Sequence, residues 1–251
     1  MRTIATFFLG LGIAAIPLAA FADEIRAIEH GDAVKSPTKN SIYASFDILA
    51  AHAHSDGNAL TFHMTAQGET GIDKPVAHGE LAGAPVYAYV WPTSLDPSVV
   101  GFEAETGILA LAATSHPDFD DTPLFDEDAD GRRDNDGAAW HSHWVVLAPN
   151  DACGTGGLSV RDIPEGQTPA LPATWPGLPL LIDSPGYSPV LHGTEISVTV
   201  ALPVGTTTSG AGYDGVTSAL KINADMHTPL LCVADVFDIA SGDLSLPGKI
   251  R

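Results

Sequence analysis

Two stretches of this 251-residue chain place histidines where they can share a metal ion. In Trp140-His-Ser-His-Trp144, strand alternation puts His141 and His143 on one face and Trp140, Ser142 and Trp144 on the other. Such a pair supplies two imidazole nitrogens, and Zn²⁺ or Cu²⁺ needs one or two more donors from elsewhere. His116 is the natural third ligand. It ends the strand before a long loop, and His141 begins the strand after it, so antiparallel pairing of those strands brings the two together. The second stretch runs from Leu49 to Met64. With Asp56-Gly57 as a two-residue turn, Ser55 faces Asn58, His52 faces Thr61 and Ala50 faces His63. One face then carries Leu49, Ala51, Ala53, Leu60, Phe62 and Met64, and the other carries His52, His54, Thr61 and His63. In this register His52 and His63 are diagonal neighbours, and three imidazoles converge. A histidine on a polar strand face is as readily a solvated residue, so both clusters are candidate copper or zinc sites. His30, His78, His192 and His227 read as surface or loop residues.

The loop before Trp140 is crowded with acid. Asp126, Asp128 and Asp130 alternate, Gly131 follows, and Asp134 and Asp136 continue the series. The spacing D-x-D-x-D-G-x-x-D resembles the calcium loops of EF-hands and of thrombospondin type 3 repeats. The resemblance implies a hard cation wrapped by alternating carboxylates about a tight glycine turn. It covers about a dozen residues and departs from the EF-hand at its twelfth position, where Gly137 stands in place of a bidentate Glu. No flanking helices are evident. The expectation is a structural calcium in a β-protein loop, held by Asp126, Asp128, Asp130 and Asp134, with Asp136 or a backbone carbonyl completing the shell. The bland alternative is a solvated acidic loop.

These residues need strands to position them. Helical periodicity is scarce, and short segments rich in Val, Ile, Thr and aromatics alternate with Gly, Pro, Asp and Asn. Strands are expected over 41–54, 59–67, 86–91, 108–114, 139–147, 179–183, 195–202, 219–223 and 230–239. The fold class expected is all-β, an antiparallel β-sandwich or irregular barrel with long loops and little helix. Three connections, 115–138, 164–177 and 203–215, are long for a compact domain and point to function or to a bound ligand.

The N-terminus sets the compartment. Arg2 precedes an apolar run, Thr3 to Ala22, that ends in Ala20-Phe21-Ala22, the pattern of a cleaved signal peptide (residues 1–22). A retained membrane anchor is the alternative. The remaining 23–251 are expected to form a single β-rich domain, periplasmic or secreted, with no membrane attachment after cleavage. In an oxidising compartment Cys153 and Cys232 read as a disulfide. Closing that loop of about 80 residues is worth about 4 kcal/mol in loop-closure entropy. The whole chain carries 11 Lys+Arg against 31 Asp+Glu, a net charge of −20. Loss of Arg2 with the leader makes it one unit more negative. Such a surface repels nucleic acid and anionic lipid and attracts cations.

Other chemistry is thinly represented. Ala152 to Ser159 is glycine-rich but lacks the spacing of a phosphate loop or dinucleotide fingerprint. No nucleophile elbow surrounds Ser159. The reading is therefore an exported metal-binding β-sandwich protein with metal ions as its partners, calcium in the Asp-rich loop and copper or zinc at histidines. Two alternatives are a metal-dependent hydrolase or lyase using the HxH pair, and a calcium-stabilised extracellular module whose tryptophans meet a ligand.

Overall fold

The computed structural model describes residues 33–225 and 227–251. The leader assigned to residues 1–22 therefore lies outside the described residues. Among the described residues fourteen strands follow one another: β1 (Val34–Lys35), β2 (Ile48–Asp56), β3 (Ala59–Ala66), β4 (Pro85–Pro92), β5 (Ile108–Ser115), β6 (His141–Pro149), β7 (Leu158–Val160), β8 (Ile182–Asp183), β9 (Val190–His192), β10 (Glu195–Ala201), β11 (Gly212–Tyr213), β12 (Val216–Ile222), β13 (Leu231–Ile239) and β14 (Gly248–Lys249). The helical content among the described residues is three single turns of 3₁₀ helix, Ala44–Phe46, Pro97–Val100 and Asp151–Cys153. Among the described residues no helix is long and apolar enough to cross a membrane.

The antiparallel strands build two layers. One is a five-stranded sheet in the order β1-β2-β3-β10-β9. The other runs β5-β4-β12-β13-β7-β6, and the pairing of β5 with β6 closes it into a six-stranded barrel, with β8 added along β6. Strand alternation divides the barrel's side chains into two sets. Tyr89 and Trp91 of β4, Leu109 and Leu111 of β5, and Trp144 and Val146 of β6 face outward and pack on Ala51, Ala53, Phe62, Met64 and Val198 of the sheet. Their neighbours Val86, Val90, Ala112, Val145 and Leu147 face inward and meet Val160, Ile182, Val216, Leu220 and Leu231 in the lumen. Both faces of β4, β5 and β6 are thus buried, which is why these strands read as near-continuous apolar runs.

Seven of the nine expected strands are close to their observed bounds, and two are not. Residues 41–47 hold a 3₁₀ turn in place of the start of a strand, and β8 is only two residues long. The short strands β1, β7, β9, β11 and β14 had no sequence signal of their own. The β2–β3 hairpin is shifted from the expected register. Asp56 faces Ala59, so Gly57-Asn58 forms the turn, with Gly57 at φ 62°. His52 stands directly opposite His63, and His54 opposite Thr61. The slip is of two positions, which preserves the split between faces.

Cys153 and Cys232 form the expected disulfide, with Cα atoms 5.5 Å apart. It joins the turn before β7 to β13 where those two strands pair at a single position, Cys232 with Ser159.

Candidate metal centre

β5 and β6 are in antiparallel register, with Thr114 opposite His141 and Ala112 opposite His143. Alternation therefore sends Thr114, His141 and His143 toward the lumen. His116, one residue past β5, follows in the same direction and donates its backbone N–H to Gly137 across the neck of the loop, at 2.6 Å. From within the loop Asp121 turns inward to meet them. The result is a cluster of three imidazoles and one carboxylate, all buried.

The geometry is that of donors around a common centre. Asp121 Oδ1 is 3.2 Å from His116 Nε2, 3.3 Å from His141 Nε2 and 3.3 Å from His143 Nε2. His116 Nε2 and His141 Nε2 are 2.9 Å apart. A tetrahedral shell with bonds of 2.0–2.1 Å has donor-to-donor edges of about 3.3 Å, which three of these four separations match.

The other ring nitrogens fix the tautomers. His116 Nδ1 is 3.0 Å from the Phe119 carbonyl, and His141 Nδ1 is 2.9 Å from that of Ala139. A carbonyl oxygen only accepts, so both Nδ1 atoms carry the proton. His143 Nδ1 lies 3.1 Å from Ser184 Oγ, whose own proton goes to the Asp121 carbonyl at 2.7 Å, so this Nδ1 also donates. Each Nε2 of a neutral ring is then a lone pair pointing inward, that of His141 also 3.1 Å from the Thr114 hydroxyl. Lone pairs facing one another and a carboxylate at these distances repel unless a cation lies between them, either a proton or a metal ion. His143 Nε2 and Asp121 Oδ1 are buried and not aligned in a hydrogen bond, as expected of atoms aimed at a shared centre and not at each other. Metal-bound histidines are typically oriented by such a hydrogen bond from the second ring nitrogen. Burial opposes ionisation of Asp121, but wherever His143 and His116 are protonated their charges, with hydrogen bonds from His116 and His141, outweigh it and hold the carboxyl well below the usual range. Phe119 stacks on the His116 ring, with centroids 3.9 Å apart and planes 5° from parallel. This buried His/Asp group can hold a metal ion.

The expected calcium shell is divided among three places. Asp126, Asp128 and Asp130 do approach one another, but their oxygens are engaged by the loop itself. Asp126 accepts from the N–H of Asp130 and Gly131, Asp128 from Asp130, and Asp130 from Arg132 and the Asn135 side chain. Asp134 turns outward and pairs with Arg132 at 3.1 Å. Asp136 is buried and joins Asp120 and Glu127 in a second carboxylate group. Asp120 accepts from the N–H of Thr122 and Asp136, Asp136 Oδ2 from Glu127 N–H, and Glu127 Oε2 from the Thr122 hydroxyl. Asp136 Oδ1 and Glu127 Oε1 remain buried without a hydrogen-bond partner. Burial, foremost, raises the pKa of Glu127, against the opposing hydrogen bond from Thr122. Of the five expected ligands the structure brings Asp126, Asp128 and Asp130 together and sets Asp134 and Asp136 apart from them; short side chains at i, i+2 and i+4 of a turning loop also bond readily to their own backbone.

His52, His54 and His63 gather on the outer face of the five-stranded sheet, but as a stack. Ring centroids are 5.5 Å apart for His52 and His54, 5.9 Å for His54 and His63, and 6.5 Å for His52 and His63. Their donor atoms are not among the groups that close to within 4.8 Å. Neighbouring positions on one flat strand face hold the rings side by side, which favours stacking over convergence.

Asp121, Asp120, Glu127 and Ser184 were not anticipated from sequence. Asp121 follows His116 by five residues, in His116-Pro-Asp-Phe-Asp-Asp121, but Asp118 and Asp120 beside it carry the same signal. Ser184 is brought in by tertiary packing alone. The tryptophans do not form an exposed platform: Trp91 and Trp144 are buried in the core, and Trp140 packs on Tyr89 and donates to the Gly71 carbonyl. No known protein family, curated protein or solved structure matches the chain.

Proposed function

We propose that this is an exported metal-binding β-protein whose centre holds one late first-row divalent ion at His116, Asp121, His141 and His143. The observation that carries the reading is the convergence of three Nε2 atoms, their tautomers set by hydrogen bonds at Nδ1, on one buried carboxylate oxygen. Zinc fits better than copper. In a square-planar site one donor would lie across the metal from Asp121 at about 4 Å, whereas all three imidazoles are within 3.3 Å of it. Four protein donors fill a tetrahedral shell, as in structural zinc sites; catalytic zinc keeps a position open. The metal's role on this reading is to hold the loop after β5 against the barrel. Export is supported by the leader-like run Thr3–Ala22 and by the disulfide.

A calcium ion in the same loop is the second part of the proposal, relocated to Asp120, Glu127 and Asp136. Two buried carboxylate oxygens without hydrogen bonds favour it, because buried anionic oxygens are stable when paired or bound to a cation.

The test is elemental analysis of the full chain purified from its native compartment, followed by thermal unfolding with and without chelator. One zinc per chain and a lower Tm after chelation are expected. An absence of zinc and copper together with an unchanged melting curve overturns the reading.

A further inference from the structure

A closed barrel of six strands is narrow, and inward side chains ordinarily fill a barrel even of eight. Here a cavity of about 110 Å³ remains in the lumen. Its walls are almost wholly aliphatic, with Val86, Val90, Val145, Leu147, Ile182 and Leu220 among them, and Ala112 leaves room where a larger residue would close the space. The polar groups on its lining include Thr114, His116, Asp121 and His143, all at the metal-centre end.

The cavity also has an apolar rim. Leu81 and Val236 line it, yet they are 54% and 48% exposed to solvent. Val236 lies on β13, whose pairing with β12 is irregular at two places, between Thr217 and Ser218 and between Ala219 and Leu220. On its other edge β13 meets β7 at the single pair Cys232 and Ser159. Beyond that pair the seam is unladdered, so Val233 and Val236 stand where the barrel wall can part without loss of sheet hydrogen bonds.

We infer that the barrel lumen is a binding site for one small, uncharged, apolar molecule of roughly six carbons. Dry apolar cavities of about 150 Å³ take up benzene without losing their fold, and this one is of the same order. A charged ligand is disfavoured, because a carboxylate in an aliphatic lumen would lose its hydration without gaining a partner. The donors at the polar end do not offer one, since their ring N–H groups already point away at carbonyl and hydroxyl oxygens. The metal centre thus forms the floor of the site, and the occupant contacts it by packing. This inference stands on the lumen and survives if the centre holds no metal.

Benzene is the probe. Titration into the full chain, followed by methyl NMR and by thermal unfolding, is expected to show saturable one-to-one binding that raises Tm and gives contacts to methyl groups of Val86, Val145 and Leu220. Benzoate, with the same ring and a charge, is expected to bind at least tenfold more weakly. Naphthalene is expected to fail on size. Ala112→Leu fills the cavity and is expected to weaken benzene at least tenfold; should that variant not fold, the benzene, benzoate and naphthalene series on the unaltered chain decides the matter. Lack of saturable benzene binding overturns the inference, and so do equal affinities for benzene and benzoate, or contacts confined to the outer surface.

Discussion

His116 Nε2 and His141 Nε2 lie 2.9 Å apart, and neither ring has a spare proton to place between them, because each Nδ1 proton is engaged by a carbonyl oxygen. Two neutral rings so placed face each other with lone pairs, which a cation at their common point relieves; the Thr114 hydroxyl, 3.1 Å from His141 Nε2, can donate to one of them. Replacing either with alanine leaves two imidazoles and a carboxylate. Zinc affinity, measured by competition with a chromophoric chelator, is expected to fall by at least the roughly 100-fold that loss of a mere supporting partner can cost. His54→Ala, in the stacked cluster of the sheet, is expected to leave that affinity unchanged.

Ser184 acts on the centre without touching it. Its hydroxyl accepts from His143 Nδ1 and donates to the Asp121 carbonyl, so one group orients two ligands. Ser184→Ala is expected to lower zinc affinity about 10–100-fold while the protein remains folded. Nitrogen NMR of the His143 ring is the accompanying readout, since loss of the acceptor frees the tautomer; an unchanged affinity with a fixed tautomer argues that other contacts suffice.

Gly137 stands where an EF-hand would carry its glutamate, and the reason is local crowding. A Cβ at this position would lie 1.8 Å from the Phe119 carbonyl oxygen and 2.9 Å from His116 Nδ1. Gly137→Ala must therefore displace the acceptor that orients His116. A loss of at least about 2 kcal/mol in denaturant unfolding is expected, together with weakened zinc binding.

Calcium is expected to raise the Tm of the full chain, and Asp136→Asn to abolish that rise, because the substitution removes the charge of a buried oxygen that has no hydrogen bond. Asp128→Asn, on the exposed rim of the loop, is expected to keep most of it. The opposite ranking would return the ion to Asp126, Asp128 and Asp130.

The disulfide bridges the weakest line of the barrel. Cys153→Ser with Cys232→Ser is expected to cost about 2–5 kcal/mol, and amide exchange is expected to quicken first in Leu231–Ile239 and Leu158–Val160, which share one residue pair.

The sequence made the long strands legible because alternation survives wherever one face is buried and the other differs from it. His141 and His143 share a face, and His116 reaches them across the β5–β6 pairing, as strand geometry requires. The hairpin at Gly57 shows the limit. Asp56-Gly57 and Gly57-Asn58 are both acceptable turns, and the two registers keep the same faces, so pattern alone does not separate them. Asp121 was hidden for another reason. The loop holds so many carboxylates that composition does not distinguish one turned inward from those bonded to their own backbone. Two-residue strands such as β11 and β14 exist through tertiary pairing and leave no periodicity to read.

The exposed Arg132-Arg133 pair lies between the two halves of the ligand set. A trypsin cut there leaves His116 and Asp121 on one fragment and His141 and His143 on the other, while the β5–β6 ladder still aligns the ends. The disulfide spans only the C-terminal fragment. The loop is accordingly a place where the chain can be divided into two pieces that the β3–β10, β4–β12 and β5–β6 ladders still hold together, with the ligand set shared between them.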